Sequence, residues 1–440
     1  MSIEKRSPGY TILKSYVDFC FHRFYNVSFY GKEKIDLTDR MIFAPNHQNA
    51  LVDALAVLSS FKWQPVFMAR ADIFGNNTVA RILRFLKMLP VYRIRDGYDQ
   101  LANNKEVFRE TFDVLDNKSS LAILPEGNHE GKWRLRTLKK GIARIAFNYR
   151  HESASNKKEI SIMPVGLNYS DYHEPGSDLH IRFGKPIPLS DFDRIYQESQ
   201  SKAYNALINR LGSELKELML HIEPEEIYPC VETTATLYEA LHKKTKNTAS
   251  AIFCSQQQII NYIVEKHENE PGFTQELQKH TNELNNILES TNLRITDLKF
   301  LKHAQKKSTS WFRIMFLTIS SPVYFYCYIQ NIIPSLISKN IEKRFKDPHF
   351  KSSVAFVLSI FLFPAIHLLQ SILFLLITNS LTWSALYLAS LPFTYIIKTS
   401  WEKMKERFFK IRKIQSILHP LENNIEKIGK KVIFPEVNWR

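Results

Sequence analysis

The sequence predicts an α/β fold in which a mixed sheet is flanked by helices, followed by a helical region and a C-terminal transmembrane helical hairpin. Two observations lead to this prediction. Between about residues 30 and 190, short apolar runs alternate with helical stretches, a pattern typical of a sheet covered by helices. Residues 352–397 then contain 46 consecutive positions without Asp, Glu, Lys or Arg, and a membrane-spanning helix needs about 20 apolar residues.

Composition narrows the protein class further. The 440 residues include 30 Phe and 19 Tyr, far more aromatic side chains than a disordered chain carries. The four cysteines are scattered without a CxxC pair, which argues against a disulfide framework or a thiolate zinc site and fits a reducing compartment. The net charge of +15 allows a nucleic-acid partner. However, much of the excess flanks the apolar segment and no nucleic-acid motif appears, so we expect none.

Six apolar runs in the α/β region have the length of strands, and four stretches between them have helical spacing. The predicted strands are Met41–Ala44, Pro65–Met68, Leu89–Tyr92, Leu121–Leu124, Ile160–Leu167 and Leu179–Phe183. The predicted helices are Ala50–Ser59, Val79–Leu86, Leu101–Leu115 and Gly141–Tyr149. In such folds, sites form where strands end and loops lead into helices.

The chain divides into five predicted regions. Residues 1–29 contain an amphipathic helix over 10–29, which lies either on a membrane surface or against the core. The other regions are an α/β domain at 30–190, a polar helical region at 191–310, a membrane region at 311–413 and a cytoplasmic tail at 414–440.

The membrane region is predicted to cross twice, at about 354–377 and 381–397. Basic residues flank both ends of this segment, and basic flanks stay on the cytoplasmic side, so the number of crossings is even. Residues 314–338 lack charge but contain Pro322 and Pro334, and we expect a re-entrant or interfacial segment there. The protein is thus predicted to be an integral membrane protein. A buried hairpin of a large soluble protein is the alternative.

A histidine and an aspartate follow the first predicted strand. His47 comes just after it, and Asp53 lies in the first turn of the next predicted helix. A histidine can act as general base at neutral pH, and a carboxylate on its other ring nitrogen fixes the tautomer. Alternatively, Asp53 starts a helix and His47 is an ordinary loop residue.

Three further clusters follow later strands. Arg93 is suited to clamp a phosphate or carboxylate, or forms a surface pair with Asp96. Glu126 and Gly127 follow the strand at Leu121–Leu124, where a turn is the simpler explanation. The run 162–169 contains a Pro and a Gly that permit close approach, although plain core is favoured there.

In this order and spacing, the four clusters resemble the glycerophosphate and lysophosphatidic-acid acyltransferase family. The resemblance covers roughly residues 30–190. It implies that His47 is the general base on a glycerol hydroxyl, that Asp53 is its partner, and that Arg93, Glu126 and Gly127 line the glycerophosphate site. It also implies no metal and no cofactor, with acyl-CoA or acyl carrier protein as donor substrate, a glycerol phosphate as acceptor, and membrane lipid as surroundings. The catalytic domain would then face the cytoplasm.

Two departures from the family pattern point to a subgroup. Five residues rather than four separate His47 from Asp53, and the family's Glu-Gly-Thr-Arg is Glu-Gly-Asn-His here. Both departures resemble fungal and bacterial glycerol-3-phosphate and dihydroxyacetone-phosphate acyltransferases, which also carry membrane segments after the catalytic domain. The second phosphate contact is therefore open, and its candidates are His129, Arg134, Arg136, Lys139 and Lys140.

The resemblance implies acyl transfer from a thioester to glycerol 3-phosphate in phospholipid biosynthesis. The alternatives are transfer to 1-acylglycerol 3-phosphate and an inactive membrane scaffold with the same fold.

Overall fold

The computed structural model describes residues 3–35, 40–92, 104–151, 158–172, 176–242, 249–305, 311–345 and 347–432. The chain forms two compact units. The first, here called the sheet unit, comprises Met1–Met219 and Phe345–Phe356. The second, here called the helical unit, comprises Leu220–Arg344 and Val357–Arg440.

Within the described residues, eight strands form one mixed sheet in the sheet unit. They are β1 (Asn26–Tyr30), β2 (Met41–Pro45), β3 (Val66–Arg70), β4 (Met88–Val91), β5 (Leu121–Ile123), β6 (Ser161–Tyr169), β7 (Asp178–Phe183) and β8 (Ile187–Pro188). The spatial order is β1-β7-β6-β2-β5-β3-β4, and β8 pairs with β6. Strands β6, β2, β5, β3 and β4 run parallel, whereas β7 and β8 are antiparallel to β6. The predicted mixed α/β sheet is confirmed.

Helices of the sheet unit cover both faces of this sheet. They are α1 (Pro8–Phe24), α2 (Ala50–Ser59), α3 (Asn77–Phe85), α4 (Asn104–Asp116), α5 (Gly141–Arg150), α6 (Asp193–Glu198) and α7 (Gln200–Leu218). Side chains of β2 alternate between the faces, as they must in a strand. Ile42 and Ala44 join a buried cluster with α5 and α7, while the Phe43 ring packs on Phe61 at 5.1 Å between centroids.

The N-terminal helix is shorter than its predicted range of 10–29. Helix α1 ends at Phe24, and Asn26–Tyr30 forms β1, which pairs with β7 in parallel. The apolar residues of this stretch fit a helical spacing, but the free edge of β7 offers backbone hydrogen bonds. That tertiary pairing overrides the local pattern.

The helical unit begins at Leu220, inside the polar region predicted at 191–310, whose first part up to Met219 belongs to the sheet unit. Its first helices are α8 (Tyr228–Leu241), α9 (Ala249–Asn269), α10 (Pro271–Ser290) and α11 (Leu301–Gln305). The later ones are α12 (Trp311–Ile319), α13 (Ser321–Glu342), α14 (Pro348–Thr378), α15 (Leu381–Ser416) and α16 (Leu418–Lys431). Helix α14 starts in the sheet unit and continues into this one.

One helix in the described part of the chain is long and apolar enough to cross a membrane, Phe350–Thr378. The predicted second crossing, 381–397, is the apolar first half of α15, which continues to Ser416. Rings of the two helices meet in antiparallel order, with Phe374 stacked on Tyr387 and Phe363 against Tyr395. The two helices thus form a hairpin, and its crossing of a membrane stays a prediction. Pro322 lies in the first turn of α13, which begins at Ser321, and Pro334 lies inside the helix.

Candidate active site

Three neighbouring parallel strands bring two predicted residues, His47 and Glu126, and the unpredicted Tyr169 to one edge of the sheet. In the order β6, β2, β5, their carboxyl ends lead to Tyr169, His47 and Glu126. Asn46 extends the pairing of β2 with β6 beyond Pro45, because its side chain both donates to the Leu167 carbonyl at 3.1 Å and accepts from the Leu167 N–H at 2.6 Å. These bonds hold the start of the His47 loop against β6.

His47 and Asp53 form the predicted pair. The Nδ1 atom of His47 lies 2.9 Å from Oδ2 of Asp53. Asp53 is fully buried, whereas the His47 side chain is 15% exposed. An ionised carboxylate only accepts hydrogen bonds, so Nδ1 carries the hydrogen and Nε2 is the basic nitrogen. This arrangement suits a general base, because the carboxylate fixes the tautomer and part of the His47 side chain remains exposed.

Asp53 is held by more than the histidine. Its Oδ2 also accepts from the backbone N–H groups of Gln48 and Asn49, each at 2.7 Å, and its Oδ1 accepts from the Tyr169 hydroxyl at 2.7 Å. Burial of the Tyr169 hydroxyl, together with the nearby Asp53 charge, raises the Tyr169 pKa well above its ordinary value, which keeps it a donor. Four hydrogen bonds compensate the buried carboxylate for the water that it has lost.

The turn between Asp53 and His47 is strained at Ala50. Its φ angle is +43°, a region that residues with a side chain seldom adopt. Such strain costs on the order of 1–3 kcal/mol and persists only where neighbouring contacts fix the backbone. Here those contacts are the N–H bonds of Gln48 and Asn49 to Asp53.

Glu126 joins the His47 loop to a second loop. Its Oε1 accepts from the His47 backbone N–H at 2.6 Å, and its Oε2 accepts from the Arg136 backbone N–H at 2.9 Å. The side chain is buried, and this loss of water raises its pKa from the ordinary 4.5 to about 7, against the lowering effect of the two N–H donors. Both carboxylate oxygens thus hold backbone, and the lining of an acceptor site by Glu126 stays a prediction.

Gly127 makes the turn that aims Glu126 at His47. Its N–H donates to the Leu124 carbonyl at 3.2 Å, and its φ angle is +69°, which glycine adopts without steric cost. The Lys139 N–H then closes the second loop onto the Pro125 carbonyl at 2.8 Å.

Three of the five basic candidates for a phosphate contact lie around this turn. The His129 ring centroid is 5.4 Å from that of His47, and Arg136 contacts both Glu126 and the His129 carbonyl. Lys139 places its Cγ atom 3.7 Å from the position of a Cβ on Gly127. Arg93 lies outside the described residues. Of the described side chains, no group of three or more His, Cys, Asp or Glu is placed to hold a metal ion.

The sequence did not identify Tyr169 or Asn49 as site residues. The run 162–169 was interpreted as core, and its Gly166 indeed serves packing: a Cβ there would lie 2.2 Å from the Leu218 carbonyl oxygen. Yet the same strand ends in the tyrosine that donates to Asp53. The signal available in the sequence was a tyrosine, Tyr169, at the end of a strand that was predicted for the same sheet as the strand before His47.

Comparison with known proteins agrees with this geometry. Residues 26–168 match the acyltransferase family model, and this match spans every site residue named above except Tyr169. This stretch is an acyltransferase domain. The predicted resemblance is thereby confirmed, and the matched stretch contains β1 to β5, most of β6 and the His47–Asp53 pair.

Two relatives are glycerol-3-phosphate O-acyltransferases of Saccharomyces cerevisiae. The chain is 20% identical over 362 residues to enzyme 2, covering 76% of this chain and 48% of the relative. It is 26% identical over 137 residues to enzyme 1, covering 30% of this chain and 18% of the relative. The chain therefore spans about half the length of the first relative and less of the second. Among solved structures, the 1-acyl-sn-glycerophosphate acyltransferase PlsC of Thermotoga maritima aligns with a TM-score of 0.34 and 17% identity, over 48% of this chain and 79% of that one.

Proposed function

We propose that this chain transfers a fatty acyl group from a thioester to a hydroxyl of glycerol 3-phosphate. The observation that carries the proposal is the His47–Asp53 contact of 2.9 Å at the edge of an acyltransferase domain. Similarity to two glycerol-3-phosphate O-acyltransferases supports this choice of acceptor.

In the proposed reaction, Nε2 of His47 removes the proton of the acceptor hydroxyl as its oxygen attacks the thioester carbonyl. The C–O bond forms, the C–S bond breaks, and the proton on His47 passes to the departing thiolate. Asp53 stabilises the imidazolium that forms in between, and its backbone and Tyr169 donors hold it in place. Bringing hydroxyl, base and thioester together accounts for much of the rate increase.

Positive charge near His47 suits a phosphorylated acceptor. Arg136 and Lys139 flank the Glu126-Gly127 turn beside the His47 loop, and we assign them to the acceptor phosphate together with Arg93. Lysine and arginine side chains bind phosphate through charge-assisted hydrogen bonds, and arginine adds paired donors.

The exposed apolar surface of helix α14 suits a membrane-bound enzyme. Large side chains there remain uncovered by protein, for example Leu376 at 74% and Ile377 at 82% exposure. We propose that α14 and the first half of α15 span the bilayer and hold the domain at its cytoplasmic face, where acyl chains and lipid products partition.

An acceptor screen tests the proposed function. The full-length chain in detergent micelles or liposomes is given glycerol 3-phosphate, dihydroxyacetone phosphate or 1-acylglycerol 3-phosphate, each with acyl-CoA and with acyl carrier protein. Glycerol 3-phosphate is expected to give the highest kcat/KM. Preference for the lysophospholipid would support the alternative acceptor, and no transfer with any pair would support an inactive scaffold.

A further inference from the structure

A short segment far from the acyltransferase domain in sequence belongs to the same compact unit. Residues Phe345–Phe356 pack with Met1–Met219, although the intervening residues form part of the helical unit. This segment, here called the anchor segment, contains the first turns of α14 and lies well outside the family match at 26–168. Its side chains reach both loops of the candidate active site.

Ser352 contacts the His47 loop. Its hydroxyl donates to Oδ1 of Asn49 at 2.6 Å, and the serine is 3% exposed. The Asn49 side chain in turn donates to the Tyr172 carbonyl at 3.2 Å, and its backbone N–H donates to Asp53. Ser352, Asn49 and Asp53 therefore form a continuous chain of hydrogen bonds that ends on the partner of His47.

The position of Asn49 gives this contact its importance. Asn49 directly precedes Ala50, whose φ of +43° is strained, so the turn needs fixed neighbours to keep its shape. Ser352 and Tyr172 hold the Asn49 side chain from two directions. Loss of the Ser352 hydroxyl would leave the buried amide oxygen of Asn49 without this donor and would loosen the backbone that bonds Asp53.

Two other residues attach the anchor segment to the sheet unit. Asp347 Oδ2 lies 2.8 Å from Nε2 of His129, whose ring packs edge-on to His47. Phe356 is buried, with its ring edge-on to Phe21 and Phe24 of α1. The segment is thus fixed at its beginning, middle and end.

We propose that Ser352 is a positioning residue of the acyl-transfer site, acting through Asn49 on the His47–Asp53 pair. The inference rests on the proposed function. If Ser352 has this role, the active site requires residues outside the family match at 26–168, namely the first turns of α14, the helix that is apolar enough to cross a membrane.

The chain offers a matched control one residue away. Ser353 is also 3% exposed and on the same helix, but its hydroxyl has no hydrogen-bond partner in the part of the chain that the structure describes. S352A and S353A therefore make the same chemical change at equal burial. The full-length variants are compared in detergent, with thermal melting to show that each is folded.

We expect S352A to lower kcat about tenfold, since small displacements of catalytic groups are costly, with KM for the acceptor changed less than twofold. S353A should match the wild type. In a double-mutant cycle, S352A should add little to N49A, because both remove the same contact. Equal kcat values for S352A and S353A, or full additivity with N49A, would overturn the proposal.

A second readout does not depend on acyl transfer. The rate at which diethyl pyrocarbonate modifies His47 at one fixed pH, followed by mass spectrometry, reports how firmly that ring is held. S352A should raise this rate, because a loosened Asn49 turn leaves the contact between Asp53 and His47 less well fixed, and S353A should not. Equal modification rates for the two variants would reject the role of Ser352 even if no acceptor proved active, whereas a raised rate without any transfer would reject the proposed function alone.

Discussion

The backbone N–H of His47 donates to Oε1 of Glu126 at 2.6 Å, so the carboxylate of one strand-end loop holds the histidine of the next. The other oxygen of Glu126 accepts from Arg136. A residue that the family resemblance places in a substrate site thus also sets the position of the general base. Its burial makes this arrangement sensitive to pH.

The first prediction concerns Glu126 and stability. The native state keeps a proton on Glu126 up to about pH 7, whereas the unfolded chain releases it near the ordinary value of 4.5. Between these values the native protein binds more protons than the unfolded chain. The contribution of Glu126 to the free energy of unfolding is therefore complete below pH 4.5 and is lost as pH rises through 7. The loss amounts to about 3 kcal/mol, at about 1.4 kcal/mol per pKa unit.

The substitution E126Q removes this titration. Denaturant unfolding of wild type and E126Q from pH 4.5 to 8 should show the difference in unfolding free energy moving in favour of the glutamine variant as pH rises. The two proteins are compared by the slope of unfolding free energy against pH, because glutamine has one acceptor oxygen where glutamate has two and this lowers stability at every pH. E130Q, at a more exposed carboxylate close in sequence, is the control, and parallel pH profiles for wild type and E126Q would refute the raised pKa.

The second prediction concerns Gly166 in the middle of β6. An added Cβ would lie 2.2 Å from the Leu218 carbonyl oxygen and 2.6 Å from its Cβ, so α7 must move away from the sheet. We expect G166A to lower the unfolding free energy by about 1–3 kcal/mol, the usual cost of overpacking. G141A is the control, because nothing lies within 4 Å of a Cβ there. Equal melting temperatures for the two variants would contradict the close approach.

The third prediction concerns the acceptor phosphate. R136A removes a guanidinium next to the Glu126-Gly127 turn while leaving the backbone N–H that Glu126 accepts from. We expect KM for the phosphorylated acceptor to rise about tenfold, equivalent to about 1.4 kcal/mol of binding, with kcat nearly unchanged. R144A, on the exposed face of α5, should behave as the wild type. An R136A variant with normal KM would exclude Arg136 from this role.

The fourth prediction concerns the membrane. Leu369 and Leu373 are about half exposed on α14, and a charged side chain in the middle of a bilayer costs about 2.5–3.5 kcal/mol. The double variant L369R/L373R should therefore lose retention in carbonate-washed membranes. Q275R/N282R adds the same charge on exposed positions of α10 and should be retained. A wild-type chain that stays in solution without detergent would contradict the membrane assignment.

Sequence patterns predicted those parts of the fold that depend on local information. Six strands with strong apolar runs were correctly expected, and so was the placement of His47 and Glu126 after two of them, because buried strands carry their signal in a few consecutive residues. Strand β1 was missed, since its pairing with β7 at Asn26–Asp178 is decided across the sheet.

The contacts of the site that depend on distant residues could not be predicted. Tyr169 reaches Asp53 across 116 positions and Ser352 reaches Asn49 across 303, and neither tyrosine nor serine stands in a motif that marks it. The bonds of the Glu126 carboxylate to two backbone N–H groups follow from how the loops pack, and its predicted place in the acceptor site stays a prediction.

The most direct test of the account compares wild type with H47A. Both are purified at full length and assayed for acyl transfer from acyl-CoA to radiolabelled glycerol 3-phosphate, with H22A on the exposed side of α1 as control. Removal of a general base costs about 10²–10⁴ in rate. We predict that H47A loses at least a hundredfold in kcat while its melting temperature and that of H22A stay near wild type. A folded H47A that transfers the acyl group at a near-normal rate would contradict the assignment of His47 as the base.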